Sequence, residues 1–130
     1  MSRSGYSDDI DDQWQFIRWR GAVASALRGA RGQAFLREML AAMDAMAEHK
    51  LIAHELATDG GAVCAIGSVG KARGLDMTSI DYEDAETVAA SFGVAHALAA
   101  EIMWWNDEGT CRKEDPEQRF NRMRKWAESQ

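Results

Sequence analysis

Proline and cysteine are both scarce in this sequence of 130 residues, which has one proline and two cysteines. A single proline interrupts few helices, and the frequent alanines favour them. Two cysteines without a secretory leader indicate a reduced, cytoplasmic setting and argue against a disulfide framework. No apolar run approaches membrane-spanning length, so we expect no membrane partner.

Lysine and arginine are missing from residues 75–111, although the whole chain contains 15 of them. The first part of this stretch holds five acidic residues: Asp76, Asp81, Glu83, Asp84 and Glu86. A net charge of −6 argues against a general nucleic-acid binder, which needs a basic surface. A persistent negative potential instead attracts basic protein patches, so these residues are predicted to form part of a protein-binding surface, with nucleic-acid mimicry as one form. The alternative is that they only cap and solvate a short helix.

Small residues dominate the stretch TDGGAVCAIGSVGKARG, residues 58–74. Small side chains allow close approach of other elements, so we expect this stretch to be a central segment against which bulkier helices pack. Apolar spacing predicts a helix over residues 62–73 that stops at Gly74. Gly67 and Gly70 weaken that helix by about 1 kcal/mol each relative to alanine. They therefore need a packing reason, and we expect close contact with another helix.

Apolar periodicity predicts a mainly α-helical fold, with five or six packed helices in one domain over residues 11–130 and a flexible arm at residues 1–10. The predicted helices are about 12–28, 33–48, 62–73, 81–92 and 95–105, and a last one that begins at Pro116. Gly29 and Gly32 are expected to bracket a break, Asp81 to cap the fourth helix, and residues 106–113 to form a polar loop. Residues 51–56 fit either a strand in a short β-hairpin near residues 51–63, which would turn at residues 59–61, or an irregular helix end.

Cys64 raises the question of enzymatic activity, because a cysteine at the first turn of a helix can be activated as a nucleophile. His54 or His96 could supply a base, and Asn106 or Asp107 an orienting group. No spacing ties these residues together, and buried cysteines are common. We therefore predict a buried, structural Cys64 and no catalytic residues, with a cysteine-dependent enzyme as a minor alternative. Neither a metal site nor a cofactor is expected, because the ligand spacings and the P-loop pattern are absent.

Residues 88–94, VAASFGV, resemble the core of a helix-turn-helix motif, which makes a DNA-binding regulator the main alternative function. The would-be recognition helix offers His96 and Glu101 but no Arg, Lys, Asn or Gln to contact base edges. We therefore expect a helical corner with a structural role.

Trp104 and Trp105 are adjacent and must point to different sides of a helix. One of them is predicted to anchor a protein partner or a homodimer interface, where tryptophan is enriched. Two separate core packings are the alternative.

Several short blocks resemble a group of small phage and prophage proteins that has no assigned reaction. The central blocks are Cys64-Ala65-Ile66-Gly67, Asn106-Asp107-Glu108 and Pro116-Glu117 followed by Arg119, and further likeness lies in residues 5–8, 18–21, 70–74 and at Trp126. The resemblance implies a mobile-element origin, and such proteins often act by binding host machinery. We therefore expect a non-enzymatic, phage-encoded accessory protein in the host cytoplasm that binds a host or defence-system protein, with an anti-CRISPR-type inhibitor as one form.

Overall fold

Six α-helices make up the computed structural model, which describes residues 13–130. They are α1 (Gln13–Arg28), α2 (Ala30–Asp44), α3 (Ala65–Arg73), α4 (Ala85–Phe92), α5 (His96–Glu108) and α6 (Pro116–Glu128). The mainly α, single-domain fold expected from the sequence is confirmed. The arm predicted at residues 1–10 lies outside the described residues.

Two helices occupy the interior, and both are built largely from small or aliphatic residues. Residues 63–70, which lead into and form most of α3, are all buried, as are residues 97–103 of α5. Side chains that are apolar around the whole helix leave no face for water, so such helices must be covered on every side. The prediction that residues 58–74 form a central segment is confirmed for residues 63–70, and α5 shares the interior with them.

The segment that connects α2 to α3 is irregular rather than a hairpin. Its only β pairing within the described residues is a single antiparallel bridge between Ala57 and Val63. A tight turn joins the two, with Gly61 donating to the Thr58 carbonyl at 3.0 Å and adopting a φ of 88°. The predicted turn is therefore present, but the strands that it would connect do not extend.

Helix ends follow their local signals in most places. Gly74 and Gly93 adopt left-handed conformations and close α3 and α4. Asp115 and Gln118 form a capping box at α6, with Pro116 inside the first turn. The predicted cap at Asp81 is wrong, because Asp84 is the N-cap of α4.

Two predicted breaks are present but shorter than expected, because only Gly29 separates α1 from α2 and α5 continues to Glu108. Gly32 lies inside α2, where an added Cβ would meet the backbone oxygen of Ala26 at 1.9 Å, so a close crossing with α1 explains the glycine. Asn106 and Asp107 belong to the last turn of α5 and not to a polar loop.

Gly67 and Gly70 are both closely packed against other parts of the chain, but these neighbouring parts are not helices. A Cβ on Gly67 would meet the backbone oxygen of Leu56 at 2.0 Å, and one on Gly70 would meet the Met77 sulfur at 2.4 Å. Both neighbours belong to connecting segments, so the prediction of a helix–helix contact is wrong. The glycines allow these segments to lie directly against α3.

The buried residues of the first helix form a cluster separate from the main core, although Ala26 and Leu27 also pack against that core. Trp19 and Val23 of α1 form a separate small cluster with Ala97 and Ala100 of α5. An ion pair between Arg20 and the buried Glu101 (2.8 Å) adds a second attachment to α5.

Candidate functional site

The acidic segment, defined as Asp76, Asp81, Glu83, Asp84 and Glu86, is exposed at all five positions. Its three aspartates cap local turns. Asp76 accepts from the Thr78 backbone N–H (3.0 Å), Asp81 from that of Glu83 (2.9 Å), and Asp84 from that of Thr87 (3.3 Å). The capping role weighed in the sequence analysis is therefore real for these residues.

Capping leaves the negative charge of the segment in place. Hydrogen bonds from Thr78 lower the pKa of Asp76, and those from Thr87 lower the pKa of Asp84, so both side chains stay ionised at neutral pH. Within residues 13–130, none of the five carboxylates forms an ion pair with lysine or arginine.

Acidic side chains on α2, on α6 and just before α6 are neutralised instead. Glu38 pairs with Arg73 (2.7 Å), and Asp44 with Arg124 (2.7 Å). Glu114 lies 2.7 Å from Arg122 and 3.3 Å from Arg119, while Glu128 also pairs with Arg124. Within residues 13–130, the acidic segment is therefore a closely spaced group of carboxylates outside these ion pairs, and single exposed acids such as Glu48 and Glu117 are outside them as well.

The two predicted tryptophan anchors differ in environment. Trp105 packs against the main core, stacks on Trp126 with ring centroids 5.8 Å apart, and donates from Nε1 to Glu101 at 3.0 Å. Trp104 is half-buried and meets Trp105 edge-on at 5.4 Å. The two rings therefore contact each other, and Trp105 has a packing role.

Residues 64–67 and 106–108 meet in a buried polar junction, in which Ala65 and Asn106 are 41 residues apart in the chain. The Asn106 amide oxygen accepts from the Ala65 backbone N–H at the start of α3, and its Nδ2 donates to the Ile52 carbonyl, both at 3.0 Å. One side chain thus joins α5, α3 and the connecting segment before α3. Asn106 is 1% exposed, so each of these bonds replaces one that water cannot supply.

Asp107 continues the junction with a carboxylate whose side chain is 1% exposed. It accepts hydrogen bonds from the Tyr82 hydroxyl (2.7 Å), the Asn106 amide (2.8 Å) and the His54 backbone N–H (3.0 Å). His54 has a left-handed φ of 67°, which is strained for a residue with a side chain, and its Nδ1 lies 3.7 Å from Asp107 Oδ2. Asp107 therefore anchors the backbone at His54 and positions an exposed imidazole beside a buried carboxylate.

Cys64 lies against this junction but is not an activated thiol. It is the N-cap of α3, and its sulfur accepts from the Gly67 backbone N–H at 3.3 Å, which favours the thiolate. Burial dominates and raises the pKa of Cys64 to about 12. Burial also raises the pKa of Tyr82, and its interactions with the adjacent Cys64 and Asp107 add to the shift. The predicted burial of Cys64 is confirmed, and its protonated state at neutral pH argues against a role as nucleophile.

The helical corner between α4 and α5 has the shape of a helix-turn-helix, with a bend of 110° between the helices. However, α5 is buried along residues 97–103, so it cannot enter a DNA groove without unpacking the core. This geometry argues against a recognition helix at this position.

The first helix also has an outward-facing apolar surface. Trp14 is 72% exposed, and Phe16 and Ile17 are each 50% exposed. Large apolar residues at neighbouring positions cannot all reach one core, and this signal is readable in the sequence.

No protein-family model, curated protein or solved structure matches the chain. Across residues 13–130, no group of three or more His, Cys, Asp or Glu side chains is placed to hold a metal ion. None of the six helices is by itself long and apolar enough to cross a membrane.

Proposed function

We propose that this protein is a non-enzymatic, phage-encoded accessory protein that binds a host or defence-system protein through the acidic segment. The observation that carries the proposal is the contrast in charge pairing. Five exposed carboxylates lack an ion pair with lysine or arginine among the described residues, whereas Glu38, Asp44 and Glu114 are each neutralised by arginine. The resemblance to small phage proteins supports the mobile-element origin and the host cytoplasm as the place of action.

The expected partner carries a basic surface. Unpaired charge raises the association rate with an oppositely charged protein and makes the rate depend on ionic strength. Nucleic-acid-binding grooves are basic surfaces of this kind, so an inhibitor that occupies such a groove, including an anti-CRISPR-type inhibitor, is one specific form of the proposal.

The test compares two variants with the same change in net charge. Glu83→Lys with Glu86→Lys alters the acidic segment, whereas Glu48→Lys with Glu117→Lys alters acids elsewhere on the surface; each pair adds four charges and takes −6 to −2. Glu117 is a matched control for Glu86, because each lies in the first turn of its helix. Both variants are used to capture proteins from host lysate at low salt.

The proposal expects a host protein that the wild type and the control variant capture and that the Glu83/Glu86 variant loses. If DNA displaces this protein, the nucleic-acid-mimic form gains support. Equal capture by the two variants would leave the acidic segment with its capping role alone.

A further inference from the structure

A groove of about 590 Å³ lies between the end of α2, the connecting segment before α3 and α3 itself. This volume is within the range of about 300–1,000 Å³ that is typical of small-molecule sites. Met46 and Ile52 line the groove, and both are half-buried and pack against the main core. Ala42, Ala62 and Ala72 also line it, and their small side chains leave the space between these elements open. The lining is therefore mainly apolar.

One wall of the groove, formed by residues 50–52, is held in place by side chains from two other helices. The Ile52 carbonyl accepts from the Asn106 amide of α5, and the Leu51 carbonyl accepts from the Arg119 guanidinium of α6, both at 3.0 Å. Because these bonds fix two successive backbone positions, the wall cannot move toward α2 and fill the space. The groove is therefore preformed, as small-molecule sites usually are.

Two lysines line the groove without an acidic partner. Lys71 Nζ donates to the Gly61 carbonyl at 2.9 Å, which places an ammonium group where α3 faces the turn before it. Within residues 13–130, neither Lys71 nor Lys50 forms an ion pair, whereas Arg73 on the same helix is paired with a glutamate. Among the described residues of the lining there is one acid, Glu48, so two lysines and one glutamate leave a net charge of +1.

We propose that this groove binds a small molecule with an extended apolar body and a single carboxylate, such as a medium-chain fatty acid. Lys71 has three N–H groups, of which Gly61 uses one, so two are left for the carboxylate. The apolar body lies along Met46 and Ile52. Because Glu48 opposes a second negative charge, a monocarboxylate fits this lining better than a phosphate does. The site uses no residue of the acidic segment and is tested separately from the proposed function.

Calorimetric titration of the full chain with decanoate, decanol and decylammonium, each below the concentration at which it aggregates, tests the class of ligand. Decanoate is expected to bind with a dissociation constant below about 1 mM, and at least about tenfold more tightly than the two ligands that lack a negative charge. Octanoate should bind about tenfold more weakly than decanoate, because each buried methylene contributes about fourfold in affinity. A wild type that fails to bind decanoate at about 1 mM, or that binds decanol equally well, overturns the proposal.

Charge variants test the position of the carboxylate. Lys71→Gln should weaken decanoate binding about tenfold, because an amide replaces the ammonium group. Lys125→Gln is the matched control and should leave the affinity unchanged, since Lys71 and Lys125 each lie in the last turn of a helix. Glu48→Gln should strengthen binding, because it removes the one negative charge among the described residues of the lining. Equal affinities of Lys71→Gln and Lys125→Gln would overturn the assignment.

A groove-filling variant tests the position of the apolar body. Ala72→Phe, at an exposed position of the lining, should abolish decanoate binding because the ring occupies the space. Ala90→Phe, at an exposed position of α4, is the matched control and should bind as the wild type does. Thermal unfolding verifies that both variants are folded. If Ala72→Phe binds decanoate as tightly as Ala90→Phe, the ligand lies elsewhere and the proposal is wrong.

Discussion

The acids around α6 and those of the acidic segment serve different purposes. Around α6, Glu114 is held by Arg122 through two short bonds of 2.7 and 2.9 Å, and the same arginine donates to the carbonyls of Trp105 and Asn106 at the end of α5. In the acidic segment, the hydrogen bonds of the aspartates to residues 13–130 go to nearby backbone and threonine groups. Charge that is neutralised connects distant elements, whereas charge that is merely capped remains available to a partner.

Among the variants considered, the largest loss of stability is expected when the ion pairing around α6 is broken at Arg122. Arg122→Ala removes a cation that satisfies the last carbonyls of α5 and leaves Glu114, whose side chain is 11% exposed, without its main partner. Losing one member of such a pair should lower the free energy of unfolding by about 2–4 kcal/mol. Urea denaturation measures it, with exposed Arg112→Ala as the control that should change little. Equal effects from both variants would contradict the assignment.

The next largest loss of stability is expected from a change in the polar junction around Asn106. Asn106→Ala leaves the Ala65 N–H and the Ile52 carbonyl buried without their partner, which should cost about 1–3 kcal/mol. Asn121→Ala, at an exposed position of α6, provides the comparison in the same denaturation experiment. A loss below that of Asn121→Ala would mean that water replaces the amide.

The pairing of Glu114 should also appear in the dependence of stability on pH. The hydrogen bond with Arg122 lowers the pKa of Glu114, so the folded state takes up this proton at a lower pH than the unfolded state does. The stabilisation is therefore complete above the unfolded pKa of about 4.3 and is lost as the pH falls through the folded pKa. Glu114→Gln should flatten the stability curve below about pH 5, with a loss of about 1 kcal/mol at neutral pH. Parallel acid curves for variant and wild type would refute this.

Within the acidic segment, removing a capping side chain should lower stability more than reversing a charge that caps nothing. Asp84→Ala removes the N-cap of α4 and should cost about 1 kcal/mol. Glu83→Lys, at an exposed position, should change stability by less than about 0.5 kcal/mol. If thermal unfolding shows that Glu83→Lys is the more harmful change, this glutamate has a structural partner and is not free for binding.

Sequence reasoning succeeded where the cause is local. Gly74, Gly93 and the Asp115-Pro116 pair mark helix ends because their backbone preferences act within a few residues. It failed at Asn106 and Asp107, because their turn-forming chemistry is overridden by partners far away in the chain, Ala65 and Tyr82.

The candidate sites divide in the same way. The acidic segment is visible as a composition, and so is its lack of nearby basic residues. Its lack of ion pairs is a property of the fold, since the sequence places many arginines in the last helix without saying which acids they reach. The outer face of α1 carries a readable signal, the closely spaced Trp14, Phe16 and Ile17, whose meaning depends on which side the core covers.

The difference in exposure between the two cysteines allows opening of the protein interior to be followed by thiol labelling. Cys111 is exposed and should react with a thiol reagent at once, whereas Cys64 is buried with its pKa raised to about 12 and should react only when the start of α3 opens away from α5. The slow phase of labelling would then measure how often the centre of the molecule opens, with Cys111 as the internal reference in the same sample. Binding of a partner that stabilises the folded state should lengthen that slow phase without altering the fast one.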